Sequence, residues 1–123
     1  MNIRIPNLGI LVPRILALAL PALLLAAPAL ADEGKITILS PHDGEEVSAG
    51  KPLIVSFEAV WGPNGNHLHL YLDNHRLDVI RVPKGSEDIG QYVMAGKHVI
   101  CLEIETSWHI STGVKQCVTV TAK

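Results

Sequence analysis

The sequence predicts an all-β fold, an antiparallel β-sandwich preceded by a signal peptide. Three observations carry this. His67–Asp73 and Lys97–Thr106 alternate apolar and polar side chains with the two-residue period of a half-buried strand. Turn-forming Gly, Pro, Asn and Asp recur about every 8–12 residues, the spacing of short strands in sandwiches. No stretch after residue 31 carries a helical period.

The elements follow in order. Lys35–Ser40 alternates and is rich in β-formers, and Pro41-His42-Asp43-Gly44 ends it as a turn. Pro52–Val60 places Leu53, Val55 and Phe57 on one face before Gly62-Pro63-Asn64-Gly65 breaks the chain. In His67–Asp73, Leu68, Leu70 and Leu72 face one way, and His67, His69, Tyr71 and Asp73 the other. Asn74-His75 reads as a hairpin corner into Arg76–Val82. Pro83–Ser86 reads as loop, followed by a short strand near Gln91–Met94. Lys97–Thr106 sets Ile100, Leu102 and Ile104 inward, Ser107–Gly113 is loop, and Val114–Thr121 is the last strand with Val118 and Val120 inward.

The first 31 residues stand apart. Arg4 and Arg14 are their only charged side chains, and an apolar run from Ile15 to Ala27 follows. Pro28, Ala29, Leu30 and Ala31 then precede the acidic Asp32-Glu33. A basic start, an apolar centre and an Ala-x-Ala site are the parts of a secretory signal peptide at residues 1–31, cleaved after Ala31. A retained anchor over 15–31 would be short for a membrane span and carry two prolines. No Cys stands at the cleavage site, so no lipid anchor is expected and the product is periplasmic or secreted. Residues 32–123 form one domain, with 8 Lys and Arg against 12 Asp and Glu, a net charge of −4. That balance excludes a nucleic-acid partner, because phosphate contacts need a clustered basic surface. The partner expected is a protein or a small ligand.

Several strings carry a resemblance. Ile38-Leu39-Ser40-Pro41-x-Asp43-Gly44, Gly65-x-His67-x-His69-x-Tyr71-Leu72-Asp73 and Ala95-Gly96-Lys97-His98 resemble small bacterial immunoglobulin-like domains along the whole of residues 32–123. The resemblance implies an immunoglobulin-like sandwich in which 67–73 lies antiparallel beside 97–106. The start of the first then lies near the end of the second, bringing Glu103, Glu105, Trp108 and His109 close to His67. Trp61 lies at the same end, where it and Trp108 would lid the core. His98, just after the Gly corner, would hydrogen-bond back to the turn. His42 and His75 would be solvated turn residues at the opposite end.

The two cysteines yield to arithmetic. A hairpin around the 107–113 loop keeps a constant index sum, and Cys101 with Cys117 gives one centred on residue 109. Both alternate away from the apolar series, so they oppose one another on one face at a separation that a disulfide accepts. In an oxidising compartment a disulfide is the expected state. A thiolate metal site and two free thiols are the alternatives.

His67 and His69 are the candidate ligands. Two residues apart on a strand, both imidazoles share one face at roughly 6–7 Å between Cα atoms, a spacing that suits one copper or zinc ion. His109 and one carboxylate would complete a set. The alternative is two polar side chains on a solvent face. The string Gly65-Asn66-His67-Leu68-His69 is also similar to the copper-binding strand of copper-zinc superoxide dismutase, but no bridging His or zinc loop follows. Ser40-Pro41-x-Asp43-Gly44 resembles the copper-resistance carriers, which use an N-terminal His where Asp32 is expected here.

No Gly-x-Ser-x-Gly, P-loop, His-Glu-x-x-His or Cys-x-x-Cys is present, nor a blue-copper Cys-His-Met order. The expected function is therefore a non-enzymatic, exported binding or accessory module of unknown ligand. The alternative is a periplasmic copper or zinc binding protein using His67, His69 and His109. Mass spectrometry of the secreted protein is expected to show a chain beginning at Asp32; a mature form retaining Arg14 overturns the leader.

Overall fold

A computed structural model describes residues 33–123, together with residues 2, 3, 7, 9 and 10. Apart from those few positions, the expected leader and its cleavage site lie outside the described residues. Among the described residues no helix is long and apolar enough to cross a membrane.

The alternating segments form β1 (Lys35–Ser40), β2 (Glu45–Val47), β3 (Ile54–Val60), β4 (His67–Leu72), β5 (His75–Ile80), β6 (Lys84–Asp88), β7 (Gly96–Glu105) and β8 (Ser111–Ala122). They build a three-stranded sheet, β1-β3-β6, and a five-stranded sheet, β2-β8-β7-β4-β5. Neighbours run antiparallel except β2, which lies parallel to β8. The inner faces supply the core. Val55 and Phe57 come from one sheet; Leu68, Leu70, Ile100, Leu102, Ile104 and Val120 come from the other. Each fully buried side chain of this size contributes about 1.5–3 kcal/mol of burial free energy. This is the sandwich that the alternation predicts.

Four local expectations are corrected. Lys84–Asp88, expected as loop in its first half, is strand β6 at the edge beside β3. Its sequence, Lys-Gly-Ser-Glu-Asp, alternates only between exposed and half-buried positions, so it has no apolar period to read. Gln91–Met94 is not a strand: Gly90–Tyr92 is one turn of 3-10 helix. Asp88 holds that turn, its Oδ1 accepting the N–H groups of Leu53 at 3.0 Å and Gly90 at 2.9 Å. The hairpin corner is Asp73-Asn74, not Asn74-His75: both have positive φ, 49° and 65°, as a two-residue turn joining twisted strands requires. The last hairpin closes around residues 106–110 and β8 starts at Ser111, because the β7–β8 register shifts between Glu103 and Glu105. Strand β2 carried no sequence signal and exists through its pairing with the end of β8.

Cys101 and Cys117 oppose one another in the β7–β8 ladder, and their sulfurs lie 2.09 Å apart. His98 does what its place after the Gly corner implies. Its Nδ1 donates to Asp73 Oδ2 at 2.6 Å, and its Nε2 lies 2.7 Å from the Met94 carbonyl. Asp73 Oδ1 also accepts the Val99 N–H at 2.8 Å, which ties the β4–β5 turn to β7.

Cys101→Ser should lower stability by roughly 3 kcal/mol on loop-closure entropy, more than about 10 °C in melting temperature. Two alkylatable thiols in the native protein would contradict the cross-link.

The Asp73 contact and the Met94 carbonyl raise His98 above its ordinary 6.5. Burial pushes Asp73 up, but the Val99 N–H and His98 outweigh it and hold the carboxyl below 3.8. The pair's contribution is therefore full between those two values. It is lost as pH rises through the folded His98 pKa above 6.5, or falls through the folded Asp73 pKa below 3.8. His98→Gln should cost about 1–2 kcal/mol at pH 6 and flatten the decline on the alkaline side, read by denaturant melts across pH.

Candidate metal centre

The β4–β7 ladder pairs His67 with Glu105, His69 with Glu103 and Tyr71 with Cys101. These side chains therefore share the face of the five-stranded sheet that points away from the core. The chain reaches β4 through a close approach at Gly65, where a Cβ would stand 2.1 Å from the Trp61 carbonyl oxygen and 2.7 Å from the Ile104 side chain. No other residue fits that entry.

The outer face is not a solvent face here. His67 is 0% exposed, His69 3% and Glu105 3%. The β7–β8 turn folds back over the start of β4 and lays the ring of His109 on both. His67 Nε2 lies 3.1 Å from His69 Nε2, and His109 Nδ1 lies 3.2 Å from the first and 3.0 Å from the second. Three ring nitrogens thus form a nearly equilateral triangle, drawn from two strand positions and one turn position.

The opposite edges of the two buried rings are also engaged. His67 Nδ1 lies 3.0 Å from Asn66 Oδ1. His69 Nδ1 lies 3.2 Å from the Tyr71 hydroxyl and 3.4 Å from Glu105 Oε1. Asn66 Oδ1 only accepts, so His67 Nδ1 donates to it and His67 Nε2 faces inward as a lone pair. His69 Nε2 does the same in the tautomer whose Nδ1 donates to the Tyr71 hydroxyl. A single N–H on His109 can satisfy only one of them. A cation at the triangle satisfies all three.

The electrostatics favour the neutral form of the two buried rings, His67 and His69. Burial lowers the His67 pKa, helped by the nearby positive charge of His109, Arg81 and Arg76. Burial lowers His69 as well, with His67, Arg76 and His109 acting the same way and Glu103 opposing. His69 is therefore neutral at pH 7, and its contact with Glu105 is not an ion pair. Burial and the charge of Glu103 push Glu105 upward, against Arg76. The Tyr71 hydroxyl is raised by burial, then by Glu105 and Glu103.

The structure thus brings together His67, His69 and His109, the trio expected as ligands, and their ring nitrogens lie within 4.8 Å of one another. Glu105 stands behind His69 and not among the converging nitrogens. Glu103 is taken by the Ser111 hydroxyl. Trp108 is no lid: it is 83% exposed, while Trp61 packs partly against the core. Asn66 and Tyr71 are the residues that sequence reasoning missed. Their signal was position, since Asn66 adjoins His67 and Tyr71 continues the His-x-His face.

No known protein family matches the sequence, and no curated protein does. Among solved structures, the chain is similar to the fibronectin(III)-like modules of CbhA from Clostridium thermocellum. The TM-score is 0.61 at 11% identity, over 72% of this chain and 96% of the module. The likeness supports an immunoglobulin-like β-sandwich fold.

Proposed function

We propose that this chain is an exported, non-enzymatic module that binds one copper(II) or zinc(II) ion through His67 Nε2, His69 Nε2 and His109 Nδ1. The observation that carries the reading is the triangle of ring nitrogens, 3.0–3.2 Å on a side, with the outer nitrogens of both buried rings already engaged. At an ordinary metal–nitrogen distance of about 2.0–2.1 Å, such a triangle subtends about 100° at the ion, between octahedral and tetrahedral values. An all-imidazole set suits copper or zinc and lacks the thiolate or thioether that soft ions prefer. Asn66, Tyr71 and Glu105 supply the outer contacts that fix ring orientation in metal sites. The Cys101–Cys117 pair and the leader-like first 31 residues support an oxidising, extracytoplasmic location.

Titration calorimetry on residues 32–123 should show near one equivalent of Cu(II) or Zn(II). His67→Ala and His69→Ala should each weaken binding more than about 100-fold, beyond what outer contacts carry. His109→Ala should fall between these and wild type; His42→Ala and His75→Ala should match wild type. No binding tighter than millimolar, or equal losses for every His, would remove the site and leave a binding module of another ligand.

A further inference from the structure

The three nitrogens are held in different ways. His67 and His69 sit on β4, which is hydrogen-bonded on both sides, to β5 and to β7. His109 is exposed, on the turn at residues 106–110, with φ at 57°. A residue with a Cβ keeps that left-handed conformation only where its surroundings impose it.

Thr106 imposes it. Its carbonyl accepts the His109 N–H at 3.0 Å, and its own N–H donates to the Ile110 carbonyl at 2.8 Å. Its Oγ1 accepts the Trp108 N–H at 3.3 Å and the Ile110 N–H at 3.2 Å. One residue therefore holds three consecutive residues, with His109 in the middle. On the outside, Trp108 is 83% exposed and Ile110 63%, so neither shields the His109 side.

Resting on the metal-binding reading above, we propose that Thr106 is the positioning residue of this centre and that the β7–β8 turn is its exchange gate. The ion leaves by losing His109 first, at a rate set by how firmly Thr106 holds the turn. Freeing His67 or His69 requires opening a strand paired on both edges, whereas freeing His109 requires only that a short turn swing out. Once His109 is off, an ion on two buried rings presents its open side to solvent and to any competing ligand. Thr106 touches no ion itself; it acts through the His109 backbone.

Thr106→Val keeps the branched shape and removes the hydroxyl acceptor, while Thr106→Ser keeps the hydroxyl. Zn(II)-loaded protein mixed with excess chelator should lose its ion about 10-fold faster in Thr106→Val or beyond, within the range that outer contacts command. Thr106→Ser should restore the wild-type rate. The metal-free protein supplies an independent readout: amide exchange at His109 and Ile110 should quicken in Thr106→Val and not in Thr106→Ser. Wild-type release and wild-type amide exchange in Thr106→Val would overturn the gate, as would a Thr106→Ser variant as impaired as Thr106→Val. A wild-type protein that takes up neither Zn(II) nor Cu(II) would overturn the metal reading and the gate with it. The amide exchange would then still decide whether Thr106 positions the turn.

Discussion

The in-register pairing of β4 with β7 is the interaction on which the rest of this structure depends. On the inner face it stacks Leu68, Leu70 and Leu72 against Ile104, Leu102 and Ile100. On the outer face the same register aligns His67 and His69 with Glu105 and Glu103. A slip of one residue would turn the leucines outward and the histidines into the core. The hydrophobic burial that sets the register therefore also protects the geometry of the polar cluster, although the two lie on opposite sides of the sheet.

Burying imidazoles and a carboxyl group on an outer sheet face carries a desolvation cost, which is tolerable only when each polar atom finds a partner. Among the described residues every buried side-chain nitrogen or oxygen has a polar atom in reach, but at the triangle those neighbours are other ring nitrogens, and one His109 N–H cannot serve both inward lone pairs. Burial pushes His67 and His69 toward neutrality, the form in which imidazole can ligate. A divalent ion placed there would become the largest local charge and would reverse the forces now acting on Glu105. Because the core lies across the sheet, this chemistry occupies a surface that the packing of the sandwich does not need.

An immunoglobulin-like β-sandwich does not dictate function; function belongs to side chains placed on it. Here the placement uses two kinds of support. A strand flanked on both edges holds two rings rigidly, and a turn held by Thr106 brings the third. That division makes one arm of the cluster firm and the other adaptable, as loops carried on rigid scaffolds commonly are.

The sequence by itself determined the class of fold, because period-two alternation and evenly spaced turn residues are local properties. It also determined the opposition of Cys101 and Cys117, since a hairpin register is an arithmetic of neighbours along the chain. It named His67 and His69 as sharing a face. It could not read β6 or β2, whose polar residues become strand only by pairing with β3 and β8. It placed the last turn too wide, because the register shift after Glu103 arises between strands and not within one. Most of all, it could not tell an exposed His-x-His face from a buried one. That was decided by the β7–β8 turn folding back over β4, which puts His109 within 3.2 Å of residues some forty positions away. Burial, ring orientation and the convergence of three ring nitrogens are properties of that long-range contact, and no local pattern carries them.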